Sequence, residues 1–129
     1  MRIAICASEA FPFCKTGGLG DVVGSLATYF SRSKEVSSVV LFLPKYRDIG
    51  KTAFSPKKIA GGYNISVSDR IERVNLYHVR WGKVDVYLVD LPKYFDRPGL
   101  YRSESGEFMD NDERFIAFQR GFLEGLKFI

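Results

Sequence analysis

The feature that most constrains this chain is a glycine-rich segment, residues 14–23, that joins an apolar run to an amphipathic one. This order predicts the loop between the first strand and the first helix of an α/β unit. Gly17, Gly18 and Gly20 can take positive φ and let a ligand approach the backbone amides, and the N-terminus of the next helix favours an anion. With Lys15 beside them, they indicate either a diphosphate or other anion site, or only a tight strand-to-helix connection.

Two acidic residues lie near the glycines, one before the segment and one within it. Glu9 follows the carboxyl end of the first strand, where open α/β sheets bind ligands, so it is either a ligand contact or a carboxylate that pins loop amides. Asp21 stands at the expected start of the helix, where a carboxylate caps free amides. Gly24 is expected to let this helix pack closely on the sheet. The predicted apolar face of the helix comprises Val23, Leu26, Ala27 and Phe30.

Composition limits the size and the class of the protein. With 129 residues, of which 46% are hydrophobic, the chain can form the core of one domain and is too short for two. Its net charge of +4 comes from scattered lysines and arginines, which argues against a nucleic-acid groove. No apolar run approaches the ~18 residues of a membrane span, and no signal peptide is evident, so we expect a cytoplasmic protein. The two cysteines fit neither a disulfide framework nor a metal site.

The remaining pattern predicts an α/β fold that contains an antiparallel insertion. Residues 2–7 read as a strand covered on both faces, and residues 39–43 as a second buried strand joined to it by a parallel crossover. Short separations between three later β-rich segments predict a meander, with residues 84–90 returning to the main sheet. These segments are residues 63–67, 71–79 and 84–89.

Two features lie towards the C-terminal end. Residues 91–101 concentrate aromatic side chains after a strand end, a composition that suits either sugar stacking or a compact loop. Asp110 and Glu113 have the spacing of a capping box at the start of a second long helix, with Asn111 as an alternative cap. The predicted apolar face of that helix comprises Phe115, Phe118, Phe122, Leu126 and Ile129. His78 is expected to be structural or exposed, because no second metal ligand lies near it in sequence.

Three motifs together resemble the N-terminal region of bacterial glycogen synthases and plant starch synthases. They are Lys-Thr-Gly-Gly-Leu-Gly-Asp-Val, Asp-Arg-Pro-Gly-Leu-Tyr and Asn-Asp-Glu-Arg-Phe. The resemblance implies a partial Rossmann-like domain, the N-terminal half of a two-domain retaining glycosyltransferase. Such enzymes transfer glucose from ADP-glucose, in some relatives UDP-glucose, to the non-reducing end of an α-1,4-glucan. The resemblance implies no metal and no cofactor.

The same resemblance assigns roles to individual residues. It places Lys15 beside the diphosphate of the donor, where it stabilises the leaving group, and Gly17 and Gly18 where the backbone approaches that diphosphate. It places Asp21 near the donor. Phe95 stands where many relatives carry a tyrosine that lies against the sugar, so that Glu9 and Phe95 are the expected acceptor or sugar contacts.

Length then limits the expected activity. By resemblance, residues 1–129 are a single incomplete, acceptor-side N-terminal domain that lacks the C-terminal nucleotide-binding domain. We therefore expect no transfer by these residues alone, and we expect them either to be marginally stable or to self-associate through the open helix face. The alternative is a standalone anion- or glucan-binding module. A dinucleotide-binding domain is a weaker interpretation, since the chain lacks the compact G-x-G-x-x-G placement and an acidic residue closing the second strand.

Overall fold

A computed structural model describes residues 1–49, 53–59 and 61–129 of the chain. Within these ranges the fold is a mixed sheet with helices packed on it, and a small hairpin lies outside the sheet. The strands are β1 (Arg2–Cys6), β2 (Ser38–Pro44), β3 (Lys57–Lys58), β4 (Tyr63–Val67), β5 (Arg70–Trp81), β6 (Val84–Asp90), β7 (Arg102–Ser103) and β8 (Gly106–Glu107). The helices are α1 (Gly18–Arg32), α2 (Pro92–Phe95) and α3 (Asn111–Gly125), and a 3₁₀ turn (Leu126–Phe128) follows α3.

The predicted β-α-β unit is confirmed. Strand β1 pairs in parallel with β2, in a register that runs from Arg2 opposite Ser38 to Cys6 opposite Phe42. Helix α1 makes the crossover between them. Because the two strands are parallel, their carboxyl ends lie at the same end of the sheet, and the loop that leads into α1 starts there.

The predicted meander is also confirmed. Strand β5 pairs antiparallel with β4 through its first half and antiparallel with β6 through its second half. Strand β6 returns to the main sheet and pairs in parallel with β2, from Val39 opposite Val84 to Pro44 opposite Val89. The tight β5–β6 turn places Gly82 at φ +57°, a conformation that glycine adopts without a steric penalty. The fold is thus an α/β frame with an antiparallel insertion.

The expectation that β1 is covered on both faces is wrong. Its residues alternate between exposed and partly buried, because β1 is an edge strand and, among the strands that the structure describes, pairs only with β2. The deeply buried strands are instead the two central ones. Leu41, Leu43, Val86 and Leu88 on β2 and β6 are 0% exposed. An apolar sequence predicts a strand here, but its position in the sheet depends on which strands lie beside it.

The buried face of α1 also differs from the prediction. Val23 and Ala27 are buried as expected, but Leu26 is 42% exposed. The buried stripe passes through two glycines, Gly20 and Gly24, at helical spacing from these residues. This stripe of small residues brings the helix backbone close to its neighbours. Because the stripe, and not the predicted apolar face, is turned inward, larger apolar side chains remain in solvent. They are Leu19, Val22, Leu26 and Tyr29.

The predicted capping box at α3 is wrong. The helix does begin after Asp110, but the Asp110 side chain makes no capping hydrogen bond. Asp110 instead accepts hydrogen bonds from the Arg97 guanidinium at 2.5 and 2.7 Å, and Glu113 forms an ion pair with Arg70. Charged arginine donors bind a carboxylate more strongly than a neutral amide does, so both acids bind arginine instead of the helix end.

The apolar face of α3 packs on the sheet largely as predicted. Phe118 is 3% exposed, and Phe115 and Phe122 are partly buried against the core. Other apolar side chains at this end remain in solvent, including Leu123, which is 60% exposed, and Phe128, which is 57% exposed. Self-association through this surface stays a prediction.

Candidate active site

Helix α1 begins three residues earlier than predicted, and this changes the role of Asp21. Its first residue is Gly18, its N-cap is Gly17, and no side chain caps it from that position. Asp21 therefore lies inside the first turn, and the prediction that it caps the helix is wrong. Its carboxylate instead accepts both of its hydrogen bonds from Lys15 Nζ, each at 2.9 Å. Both side chains of this ion pair are about half exposed.

The space beside Gly17 and Gly18 is open. A Cβ atom built on either residue meets no atom of the described chain within 4 Å. The expectation that these residues use positive φ is wrong, since Gly17 has an extended φ of −165° and no glycine of the loop is left-handed. What these positions provide is an approach to the backbone at the positive end of a 15-residue helix.

Gly20 has a different role. A Cβ here would lie 2.6 Å from Lys15 Cβ, so only glycine lets the lysine stem pass this close to the helix. The backbone of Gly20 is also fixed on both sides. Its N–H donates to Glu9 Oε1 at 3.0 Å, and its carbonyl accepts from the Phe11 N–H at 2.9 Å.

Glu9 supplies the carboxylate at the start of α1. It is only 2% exposed, and Thr16 donates to its Oε2 from both the hydroxyl, at 2.8 Å, and the backbone N–H, at 3.3 Å. Burial raises the pKa of Glu9, but hydrogen bonds from Thr16, Tyr101 and Gly20 outweigh it and leave this pKa below its ordinary value. The interpretation of Glu9 as a carboxylate that pins loop amides is confirmed, and its contact with a sugar stays a prediction.

Sequence reasoning missed Tyr101 as part of this network. Its hydroxyl lies 3.0 Å from Glu9 Oε2 and 2.7 Å from Ser8 Oγ. The aromatic loop in which Tyr101 lies was apparent from composition, but no local signal joins two residues 92 positions apart. Only the folded chain brings this loop to the carboxyl end of β1.

Comparison with known proteins identifies the family. The family described as the starch synthase catalytic domain matches residues 2–128. The chain belongs to this family. Among curated relatives, a glycogen synthase of Elusimicrobium minutum is 53% identical over 129 residues, which is all of this chain and 26% of that protein. A glycogen synthase of Geotalea daltonii is 35% identical over 127 residues, again 26% of its length.

A solved structure of the same family shares the fold. It is the catalytic domain of starch synthase IV from Arabidopsis thaliana bound to ADP and acarbose, with a TM-score of 0.81 and 25% identity. The match covers 97% of this chain and 24% of that one. The starch synthase-family chain described here thus spans about a quarter of the length of the relatives it matches.

Phe95 does not occupy a ligand-facing position in this starch synthase-family chain. Its ring is 0% exposed and packs edge-on against Tyr46, Phe115 and Phe118. Contrary to the prediction, it offers no face to a sugar in this structure. The short helix α2 buries Tyr94 and Phe95 together, so the aromatic character of this segment serves the core.

Arg114 organises the loop that carries Tyr101. It is 0% exposed, and its guanidinium lies over three aromatic rings, at 4.7 Å from the centre of Phe108 and at 4.9 and 5.4 Å from those of Phe95 and Phe115. Its Nε donates to the Tyr94 carbonyl at 2.6 Å and its Nη1 to the Leu100 carbonyl at 2.9 Å. Nothing in the local pattern around Arg114 predicts that it is buried.

The part of the chain that the structure describes contains no group of three or more His, Cys, Asp or Glu side chains placed to hold a metal ion. None of its helices has the length and apolar character that a membrane span requires. His78 lies on β5 and pairs with Asp85, with 2.9 Å between Nε2 and Oδ1, in keeping with the structural or exposed role expected for it.

Proposed function

We propose that this chain supplies the diphosphate-binding part of a glucosyltransferase active site. The observation that carries the proposal is the Lys15 loop, in which a half-exposed lysine stands beside two open glycine positions at the N-terminus of α1. Backbone amides, the helix dipole and an ammonium group together favour a phosphate group over a neutral ligand. We assign donor binding to Lys15, Gly17, Gly18 and Asp21, and leaving-group stabilisation to Lys15.

The proposed reaction transfers glucose from ADP-glucose to the non-reducing end of an α-1,4-glucan. When the bond between the sugar and the diphosphate breaks, negative charge grows on the departing ADP. Preorganised N–H groups and a cation beside that charge stabilise the transition state more than the ground state. Lys15 and the amides of the loop supply this stabilisation without a cofactor, and Asp21 holds the lysine in place before the donor arrives.

Family membership and chain length support the choice of substrates and the need for further residues. The relatives named above are glycogen synthases, and the solved starch synthase holds ADP and acarbose. Since the chain spans about a quarter of these proteins, we propose that a second, nucleotide-binding domain completes the site and that the whole protein acts in the cytoplasm. Glu9 remains a candidate sugar contact within this proposal.

Binding to the chain itself gives the first test. We titrate the 129-residue chain with ADP and follow the backbone amides by NMR, expecting the largest shifts at Gly17 and Gly18. Lys15→Gln should weaken ADP binding by about tenfold or more, the range for a hydrogen bond to a charged group. Lys127→Gln is the matched control, because Lys127 is also an exposed, ion-paired lysine and its loss changes the net charge equally. Equal effects of the two substitutions would contradict the proposal.

A chimera tests transfer. The aligned segment of the Elusimicrobium minutum glycogen synthase is replaced by this chain, which matches it over 129 residues. We expect the chimera to elongate a glucan from ADP-glucose, and Lys15→Gln to reduce its kcat by about 10²- to 10³-fold, as for the loss of one stabilising donor. The isolated chain should not elongate a glucan. A folded but inactive chimera would instead favour the standalone binding module.

A further inference from the structure

Glu9 connects three segments of the chain at one buried point. Its carboxylate accepts hydrogen bonds from Thr16 in the loop, from Gly20 in the first turn of α1, and from Tyr101 in the segment between α2 and α3. Gly20 is the third residue of α1, so Glu9 satisfies one of the free N–H groups that every helix start presents. The position of this carboxylate therefore determines the backbone course between Thr16 and Gly20.

Tyr101 contacts Glu9 from a different part of the fold than the loop does. Because an ionised carboxylate can only accept, the Tyr101 hydroxyl donates to Oε2, which leaves its oxygen free to accept from Ser8 Oγ at 2.7 Å. The terminal torsion of a glutamate side chain has a broad energy minimum, so hydrogen bonds decide where the carboxylate rests. Gly20 donates to Oε1, and Oε2 accepts from both Thr16 donors and from Tyr101, so Tyr101 adds a contact from a distant segment to the same oxygen that Thr16 binds.

The backbone of Tyr101 is itself anchored to the start of α3. Its carbonyl accepts a hydrogen bond from Asn111 Nδ2 at 2.9 Å, and the preceding carbonyl, that of Leu100, accepts from the buried Arg114 at 2.9 Å. The Tyr101 ring also packs against Phe115, with 5.7 Å between the ring centres. The hydroxyl is thus presented to Glu9 from a rigid support.

We propose that Tyr101 is a positioning residue for the diphosphate site, which it serves by holding the Glu9 carboxylate in its capping position. Through Glu9 it fixes the Thr16–Gly20 backbone before the ligand binds, so that the amides need no rearrangement when the diphosphate arrives. This inference rests on the proposed function, because it concerns the same loop. Tyr101 itself does not touch the ligand.

The test compares Tyr101→Phe, which removes only the hydroxyl, with Tyr63→Phe. The Tyr63→Phe change likewise removes one hydroxyl. The Tyr63 hydroxyl is buried and donates to the Gly121 carbonyl at 2.6 Å, away from the loop. In the 129-residue chain we expect Tyr101→Phe to weaken ADP binding by about threefold to tenfold, the range for the net contribution of one hydrogen bond. Tyr63→Phe should leave ADP affinity unchanged, although it lowers stability.

A double-mutant cycle with Glu9→Gln separates positioning from general destabilisation. If Tyr101 acts through Glu9, Tyr101→Phe has no further effect on ADP affinity once Glu9 is replaced. Independent losses that simply add in the double variant would overturn the inference. An ADP affinity for Tyr101→Phe equal to that of the wild-type chain would overturn it as well.

A pH profile gives a readout that loss of stability does not reproduce. The Gly20 amide reports the ionisation of Glu9, and Tyr101→Phe should move its titration to higher pH because one donor to the carboxylate is lost. Burial raises the pKa of the neighbouring Tyr101 hydroxyl to about 12, that of the Cys14 thiol to about 11, and that of the Tyr46 hydroxyl further still. None of these groups titrates in the acid range. The neighbouring carboxylate Asp21 accepts hydrogen bonds from Lys15 and has none from Tyr101 among the described contacts, so Tyr101→Phe should shift only the Glu9 titration. An unmoved Gly20 profile would overturn the inference.

The proposed function and this inference fail in different ways. If neither the 129-residue chain nor the chimera binds ADP, or if Lys15→Gln leaves ADP affinity unchanged in both, the diphosphate site is wrong and the positioning role falls with it. If Lys15→Gln abolishes binding while Tyr101→Phe changes neither affinity nor the Gly20 profile, the site stands and only the role of Tyr101 is refuted.

Discussion

Replacing Gly24 by alanine should destabilise the protein, although the same change stabilises most helices. Gly24 lies inside α1, where alanine is normally favoured over glycine by about 1 kcal/mol. Here a Cβ atom would lie 2.4 Å from the Phe11 carbonyl oxygen and 3.3 Å from its carbon. This is well inside the 3.0 Å separation that Cβ atoms essentially never cross. Because the contact is with backbone, no side-chain rotation can relieve it.

The expected size of the effect follows from what must move. The Phe11 N–H donates a hydrogen bond to the Gly20 carbonyl of α1 at 2.9 Å. Moving the Phe11 carbonyl away from Gly24 would therefore also disturb this hydrogen bond. Overpacking of this kind costs typically about 1–3 kcal/mol, which exceeds the propensity gain. We expect a net loss of about 1–2 kcal/mol in the free energy of unfolding. The sequence suggested that Gly24 faces the sheet, whereas the structure places it against the preceding loop.

Urea unfolding followed by tryptophan fluorescence measures this effect. Trp81 is the only tryptophan in the sequence. Its ring lies edge-on to that of Phe13, which belongs to the same loop as Phe11, with 5.6 Å between the ring centres. Gly18→Ala is the matched control, because a Cβ on Gly18 meets nothing within 4 Å in the described structure. It should leave the unfolding free energy within about 0.5 kcal/mol of wild type. A Gly24→Ala variant as stable as wild type would refute the close approach of α1 to Phe11.

Two further predictions concern buried charged groups. Arg114→Met keeps an apolar stem but leaves the Tyr94 and Leu100 carbonyls without their donor, so we expect a loss of about 2–4 kcal/mol in the same urea assay, and an unchanged midpoint would contradict it. For Glu9, the folded-state pKa is below the unfolded value, so the stability it contributes is present above about pH 4.3 and is lost as pH falls through the folded pKa. Glu9→Gln should therefore be less stable than wild type at pH 7, and the gap should narrow by pH 3. A constant gap would count against an ionised Glu9.

The local sequence pattern predicted most strands and helices of the fold, because these elements depend on the periodicity of apolar residues and on the lengths of the turns. The alternation of residues 63–67 and 71–79 indicates strands, and the turns between the β-rich segments are too short for a parallel crossover, so their pairing is antiparallel whatever surrounds them. The position of β1 at the sheet edge does not follow from its own residues, because exposure there depends on which strands lie beside it. The same limit explains Leu26, whose exposure results from the close approach of α1 through its glycines.

The candidate site was predicted in part, for a related reason. Glycines and a lysine at a strand-to-helix junction are a local signal, and Lys15, Gly17 and Gly18 lie where that signal suggests. The choice between two nearby carboxylates is not local. Asp21 was expected to cap α1, but residues 10–17 fold back so that Glu9 reaches the helix start and Asp21 pairs with Lys15. Phe95 illustrates the same point, since composition cannot distinguish a ring that stacks on a ligand from one that fills the core.

The two carboxylates divide the site into a fixed part and an exchangeable part. Glu9 is buried and accepts hydrogen bonds from three segments, so the loop backbone that it holds is set before any ligand binds. The Lys15–Asp21 pair is half exposed, and exposed ion pairs contribute only about 0–1 kcal/mol. Under the proposed function, an incoming diphosphate would displace Asp21 from Lys15 at little cost, because it carries more negative charge than one carboxylate. In that proposal the loop backbone contributes preorganisation, and Lys15 contributes a positive charge that Asp21 neutralises until the diphosphate binds.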